Sequence, residues 1–147
     1  MQSGGINMYG LLKSVCIKSK QDGKIHNIKQ ADLIKTGIPN DVHCDGGEMQ
    51  VSILPEEVIK QYETESGSKT EYGQFGENLV ISGIDYKSLK VGDFLSIGDA
   101  RLHITHIGAR KKHTEKSPCK QLIHDNYIFC KVSVEGIITV DDQVYTE

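Results

Sequence analysis

Short β-branched segments, separated by turns rich in Gly, Asn, Asp and Lys, dominate the pattern of hydrophobic and polar positions along this chain. Leu11–Lys18 alternates loosely between apolar and polar residues and predicts a strand. The Asp-Gly pair inside Gln21–Lys24 predicts a hairpin turn that leads into a second strand over Ile25–Ile34. Tyr127–Val134 shows the cleanest alternation. The same pattern predicts further strands at Met49–Leu54, Phe75–Ser82, Phe94–Ile97, Arg101–Ile107, Ile137–Val140 and Val144–Tyr145.

One segment has the pattern of a helix rather than a strand. Pro55–Thr64 opens with a proline and two glutamates, which suit a helix N-terminus, and its apolar residues share one face. Gly37–Gly47 and the basic segment Arg110–Lys120 predict loops. Many short strands with little helix predict a mostly β fold, a closed or nearly closed β-barrel with one or two short helices. We expect a flexible lead-in over residues 1–10 and one domain over residues 11–147.

Composition narrows the class of protein. A chain of 147 residues with 37% hydrophobic and 25% charged residues suits a single globular domain. The net charge of −3 argues against nucleic-acid partners and against a polybasic membrane contact. No apolar run is long enough to span a bilayer, and no secretion signal is visible, so we expect a cytoplasmic protein with reduced cysteines.

Cys119 is the first candidate for chemistry because cations surround it in the sequence. Nearby positive charge favours the thiolate, which is the form that attacks electrophiles and binds metals. The alternative is a basic surface loop in which the cysteine is incidental. The cations of this segment are Arg110, Lys111, Lys112, His113, Lys116 and Lys120.

The other candidates divide into core residues and loop residues. Cys16 and Cys130 lie in strand patterns and are expected in the core, whereas Cys44 follows His43 in a glycine-rich loop. Compact spacing for a zinc site is absent. The segment Gly76–Asn78 interrupts a strand pattern with polar residues, which indicates either a ligand contact or an ordinary turn.

Three blocks of the sequence resemble the MOSC domain family, named for the C-terminal domain of molybdenum cofactor sulfurase. Gly37–Leu54 is similar to the family's GI-x-x-D-x-H loop and the QVS strand that follows it. Phe75–Asp99 is similar to its FGENL…GID…L-x-V-G-D stretch and is the most specific match. Ile107–Cys119 and Gly136–Val144 resemble its cysteine-bearing loop and closing strands.

The resemblance implies a barrel fold and a site for molybdenum bound to molybdopterin, with one protein cysteine as metal ligand. That cysteine corresponds to Cys119. The resemblance places cationic partners for the pterin phosphate in the basic segment. It places residues that line the pterin edge at the polar start of the Phe75–Ser82 strand, and a histidine at the mouth. These cofactor-binding residues are Arg110, Lys111, Lys112, Asn78, Glu77 and His43.

Three functions remain open at this point. The first is a molybdenum-dependent oxidoreductase that reduces N-hydroxylated small-molecule substrates, with an electron-donor protein as partner because no flavin or iron–sulfur motif is present. The second is a sulfur carrier that holds a persulfide on Cys119 and is loaded by a sulfur-donor protein. The third is a non-catalytic binding module, favoured by departures from the family pattern such as Met49 and Lys112.

Overall fold

The computed structural model describes residues 9–108 and 117–147. The predicted lead-in falls mostly outside these ranges, as do Arg110, Lys111 and Lys112. Two α-helices lie in the described ranges, α1 (Glu56–Ser66) and α2 (Pro118–Asp125). The strands are β1 (Tyr9–Lys18), β2 (Ile25–Ile28), β3 (Gln30–Leu33), β4 (Val51–Pro55), β5 (Leu79–Ser82), β6 (Phe94–Ile97), β7 (Ala100–Ile107), β8 (Ile128–Val134), β9 (Gly136–Thr139) and β10 (Gln143–Thr146).

Seven of these strands close into a barrel. Their order is β10-β6-β7-β8-β4-β5-β1, and a further pairing of β1 with β10 joins the two ends. The contact between β4 and β5 is parallel, whereas the other barrel pairs are antiparallel. Strand β2 extends the sheet beside β1, and β3 with β9 forms a separate two-stranded ladder. The prediction of a mostly β, closed barrel with short helices is confirmed.

Alternation along the strands fills the barrel with aliphatic side chains. In β7, Leu102 and Ile104 point inward and are fully buried, while His103 between them is partly exposed. Cys16 and Cys130 are buried among them, as the sequence predicts. A second, smaller core lies under the helices, where Val58 of α1 and Ile123 of α2 pack together with residues of β4 and β5. The helices therefore cover one side of the barrel.

Helix α1 agrees closely with its sequence pattern. It begins directly after Pro55, carries Glu56 and Glu57 in its first turn, and ends at Gly67, whose φ of 72° is left-handed. Glu57 also accepts a hydrogen bond from the N–H of Gly83 at 2.9 Å, which ties the helix start to the end of β5. In the described ranges neither α1 nor α2 is long and apolar enough to cross a membrane.

Three local predictions differ from the structure. The strand expected over Ile25–Ile34 is broken into β2, which pairs with β1, and β3, which pairs with β9 in a different sheet. The Lys29 carbonyl between them accepts the N–H of Val140. The strand expected from Phe75 begins only at Leu79. Residues 118–120 of the predicted basic loop are the first turn of α2.

Candidate functional site

A pocket of about 290 Å³ lies at the end of the barrel where β1 ends and β5 begins. We call it the barrel-end pocket. The segments that line it include the end of β1, the loop over residues 41–43, the segment over residues 75–78, the end of α2 and the start of β8. Its ionisable and amide side chains are Lys18, Asp41, His43, Glu77, Asn78 and His124.

The structure brings together three of the residues singled out from the sequence. His43, Glu77 and Asn78 all line the barrel-end pocket, although the loop of His43 and the segment of Asn78 are far apart in the chain. They meet because β4, which follows the loop, pairs in parallel with β5, which follows Asn78. Cys119 does not line this pocket.

Asp41 organises one wall of the pocket from inside the protein. Its side chain is 1% exposed, and its carboxylate accepts three hydrogen bonds. Oδ1 accepts the backbone N–H of Lys18 at 2.9 Å and the Nδ2 of Asn78 at 3.0 Å, and Oδ2 accepts the backbone N–H of His43 at 2.9 Å. A buried carboxylate is tolerated when N–H donors surround it in this way. Asp41 therefore fixes the loop that presents His43.

The side-chain amide of Asn78 makes its hydrogen bonds within the protein. Its Nδ2 donates to the Cys16 carbonyl and to Asp41, both at 3.0 Å, and its Oδ1 accepts the Ser52 backbone N–H at 2.9 Å. Because an amide has only two N–H donors, none is left for a ligand. Asn78 lines the pocket, and the hydrogen bonds of its side chain connect β1 and β4 with the segment before β5.

The side chain of Glu77 also points into the protein. Its carboxylate accepts the N–H of Gly73 at 2.6 Å and the N–H of Phe75 at 3.2 Å, and the residue is 2% exposed. Burial raises the pKa of this carboxyl, although the backbone hydrogen bonds act in the opposite direction. The chain before Asn78 is therefore wound around the Glu77 carboxylate, which explains why it is not a strand.

Aromatic rings form another wall, and this wall was not predicted from the sequence. Phe75, Tyr127 and Phe129 line the pocket, and the Tyr127 hydroxyl donates to the Phe75 carbonyl. The rings of Tyr127 and Phe129 are stacked with centroids 5.5 Å apart. His124, from the last turn of α2, lies beside them. Pro118 at the first turn and the pair Leu122–Ile123 were the sequence signals that could have revealed this helix.

The MOSC domain family matches residues 39–145 of the chain. The chain belongs to the MOSC family. Among solved structures it resembles YuaD from Bacillus subtilis, at 17% identity and a TM-score of 0.73, over 96% of this chain and 97% of YuaD. A comparison with proteins of curated function gave no match.

Two larger MOSC-fold neighbours are proteins named YiiM. YiiM from Escherichia coli is 16% identical with a TM-score of 0.65, over 97% of this chain and 70% of that protein. YiiM from Geobacillus stearothermophilus is 16% identical with a TM-score of 0.60, over 94% of this chain and 73% of that protein. At these identities the likeness shows the fold alone.

In this MOSC domain the predicted ligand Cys119 lies in the first turn of α2 and is partly buried. Cys119 and His124 are five residues apart on α2, which separates them by about 7.5 Å along the helix axis and by about 140° around it. The residue after Cys119, Lys120, lines a groove next to the barrel-end pocket, whereas Cys119 lines neither of the two. Cys119 is therefore not sealed in the core, and it lies on a different face of α2 from His124.

The residues present suit an anionic, ring-containing group in this part of the MOSC domain. The carboxylates of Asp41 and Glu77 accept backbone and amide N–H groups, whereas Lys18, His43 and His124 bring basic side chains to the pocket. In residues 9–108 and 117–147, no group of three or more His, Cys, Asp and Glu side chains could hold a metal ion. A metal at this site would therefore have to bring most of its own ligands.

Proposed function

We propose that this MOSC protein binds a molybdenum–molybdopterin cofactor at the barrel-end pocket, with Cys119 as the protein ligand to the metal. The observation that carries the proposal is a pocket with basic and aromatic side chains, whose two acids accept hydrogen bonds within the protein, beside a helix with Cys119 in its first turn. A cofactor that supplies its own sulfur ligands can accept one further thiolate from the protein, and soft sulfur ligands suit such a metal.

The residues have distinct roles in this proposal. Lys18 would pair with the anionic part of the cofactor, together with Arg110, Lys111 and Lys112, which lie outside the described residues. The aromatic wall would cover the flat face of the pterin. Glu77 and Asn78, which the sequence suggested as contacts to the pterin edge, would act by shaping the wall, because their polar atoms bind the protein.

The activity that we propose is the reduction of N-hydroxylated compounds with electrons from an external protein. When bound, the cofactor supplies two-electron oxygen-transfer chemistry, which amino-acid side chains do not provide. His43 and His124 are the residues at the pocket that can hold or release a proton for the departing oxygen. A donor protein is part of the proposal because the sequence has no flavin or iron–sulfur motif.

The proposal is tested by cofactor content. We expect protein purified from a molybdenum-sufficient host to contain molybdenum and pterin in equal amounts, and Cys119→Ser to lose most of the metal. Cys44→Ser is the matched control, because Cys44 is also partly buried but bonds Thr36 at 3.4 Å in a different loop. Metal and pterin are measured by mass spectrometry.

Two results would contradict the proposal. Equal molybdenum content in Cys119→Ser and Cys44→Ser would exclude Cys119 as the ligand. Cyanide-releasable sulfur on Cys119 in a protein without metal would instead favour the sulfur-carrier function, which uses the same thiolate.

A further inference from the structure

A second concave surface lies against the barrel-end pocket. It is a groove of about 470 Å³ between α1, α2 and the segment before β5, and we call it the interhelix groove. Its lining includes Tyr62 of α1 and Lys120 of α2. Sites for small molecules measure roughly 300–1,000 Å³, so this groove is large enough for one or two rings.

The groove has an aromatic interior whose parts are held in place. The rings of Tyr62 and Phe75 meet edge to face, with centroids 5.0 Å apart and planes at 75°. Tyr127 also lines the groove, and its hydroxyl donates to the Phe75 carbonyl. Ile123 closes the base and is 2% exposed. Rings fixed in this way favour a flat, apolar body that can stack or pack edge to face.

The charge of the groove is positive at one side. Lys120 and His124 lie on the same face of α2, four residues apart, and the other polar residues of the lining are Gln74 and two tyrosines. No carboxylate is among the described residues that line the groove. A second hollow along α1 differs, because three glutamates and a single lysine line it: Glu56, Glu63, Glu71 and Lys60. The interhelix groove is therefore complementary to an anion, and the neighbouring hollow is not.

We infer that the interhelix groove binds a planar aromatic carboxylate of one or two rings, and that such compounds are the substrate class of this protein. The carboxylate lies at Lys120, and the ring lies against Tyr62 and Phe75. Only the assignment as substrate rests on the proposed function, whereas the binding site stands on the groove itself.

The shared wall explains how the two surfaces would work together. Phe75, His124 and Tyr127 line both the groove and the barrel-end pocket, while Lys120 lines the groove alone. A ligand anchored by its carboxylate at Lys120 therefore directs its far edge toward the shared wall. A reducible substituent on that edge would reach the side of the site where the cofactor is proposed.

The experiment is a titration of the ¹⁵N-labelled full chain, followed by amide chemical shifts, with 2-naphthoate as the probe. We expect saturable shifts at Gln74 and Ile123. Cyclohexanecarboxylate, which has the charge without the flat ring, and 2-naphthamide, which has the ring without the charge, should each bind at least about threefold more weakly.

Lys120→Met should weaken the binding of 2-naphthoate about two- to fivefold. Lys60→Met, an exposed lysine of α1 that does not line the groove, should leave the affinity unchanged.

The inference is overturned if Lys120→Met binds 2-naphthoate as tightly as the wild type, if the three probes bind equally, or if the shifts are confined to Lys18 and Gly76 of the barrel-end pocket. The metal content of the same sample is measured in parallel. Groove binding in a protein that never takes up molybdenum would support the site and remove only its role as substrate site. Molybdenum loading without groove binding would contradict this inference and leave the cofactor proposal standing.

Discussion

At the scale of single residues, the sequence picked out three residues that line the candidate pocket, His43, Glu77 and Asn78, but not the hydrogen bonds that their side chains make. Asn78 and Glu77 stand out because polar residues interrupt a strand pattern, and both do line the pocket. Their polar atoms nevertheless face inward, since Asn78 binds Asp41, which lies 37 positions away in the chain. A pattern of neighbouring residues does not indicate a hydrogen-bond partner so far away in the chain. A polar residue at a strand entry therefore predicts a special position, while its bonds depend on the tertiary fold.

The buried carboxyl of Glu77 makes a specific prediction about pH. Burial raises its folded pKa above the ordinary value of 4.5, so the folded state holds a proton that the unfolded state releases first. Its contribution to stability is therefore complete below pH 4.5 and is lost as the pH rises through the folded pKa. We expect the free energy of unfolding of the wild type, relative to Glu77→Gln, to fall by up to about 1.4 kcal/mol per pH unit in that window.

Urea unfolding of both proteins in steps from pH 4.5 to about pH 7 measures this difference. Glu65→Gln, an exposed glutamate of α1, controls for the loss of one negative charge. If the free energy of unfolding of the wild type rises relative to that of Glu77→Gln as the pH rises, the native carboxylate is stabilised, contrary to our expectation.

At the scale of elements, the segment from Gly67 to Asn78 connects the helix with the site. Thr70 donates to Glu63 with its N–H at 2.8 Å, the Tyr72 hydroxyl donates to Glu56 at 2.8 Å, and Gly73 donates to Glu77. Three carboxylates thus hold the segment that carries Phe75. The sequence predicted α1 well because its signals are local. It predicted a strand at Phe75 wrongly because the backbone N–H groups of Gly73 and Phe75 donate to the Glu77 carboxylate rather than to a neighbouring strand.

Two glycines of this segment, Gly67 and Gly73, allow the effect of backbone strain to be measured separately from the effect of crowding. Gly67 and Gly73 both have left-handed backbones, with φ of 72° and 88°. A Cβ at Gly67 would meet nothing within 4 Å, whereas one at Gly73 would lie 2.6 Å from the Ile25 side chain and 3.2 Å from Cys16 Sγ. We expect Gly67→Ala to lower the free energy of unfolding by roughly 1–2 kcal/mol. Gly73→Ala should add roughly 1–3 kcal/mol for overpacking.

Chemical denaturation of the two variants gives both values. The informative quantity is the difference between them, since the left-handed penalty is common to both. Equal losses of stability would mean that the neighbours of Gly73 move aside at no cost, and the segment would then not be tightly packed against β1 and β2.

At the scale of the whole molecule, closure of the barrel depends on a short seam. Three residues of β1, Tyr9–Leu11, pair with β10, while the other half of that edge pairs with β2. The alternation of the strands predicted a closed or nearly closed barrel, and the structure has the closed form. Which strands meet at the seam was beyond the pattern, because β1 and β10 lie at opposite ends of the chain and neither has a local signal for the other.

Gly10 lies in the part of β1 that forms the seam, and it has no room for a side chain on the side of β5, which provides a test. A Cβ at this position would lie 1.8 Å from the Ser82 carbonyl oxygen of β5, so the backbone of one strand must move. We expect Gly10→Ala to lower the free energy of unfolding by about 3 kcal/mol or more. Gly47→Ala is the control, because there the nearest atom is the flexible Asp45 carboxylate at 3.1 Å.

Amide hydrogen exchange distinguishes an opened seam from a general loss of stability. At the seam the N–H of Leu12 donates to the Asp142 carbonyl and the N–H of Asp141 donates to the Leu12 carbonyl, both on the line where the two ends of the chain meet. In Gly10→Ala these amides should exchange faster relative to those of the β7–β8 pair, which lies elsewhere in the barrel and includes the pairing of Ile104 with Cys130. Uniform acceleration across both regions would mean that the barrel opens as one unit, and that the seam is no weaker than the rest of the wall.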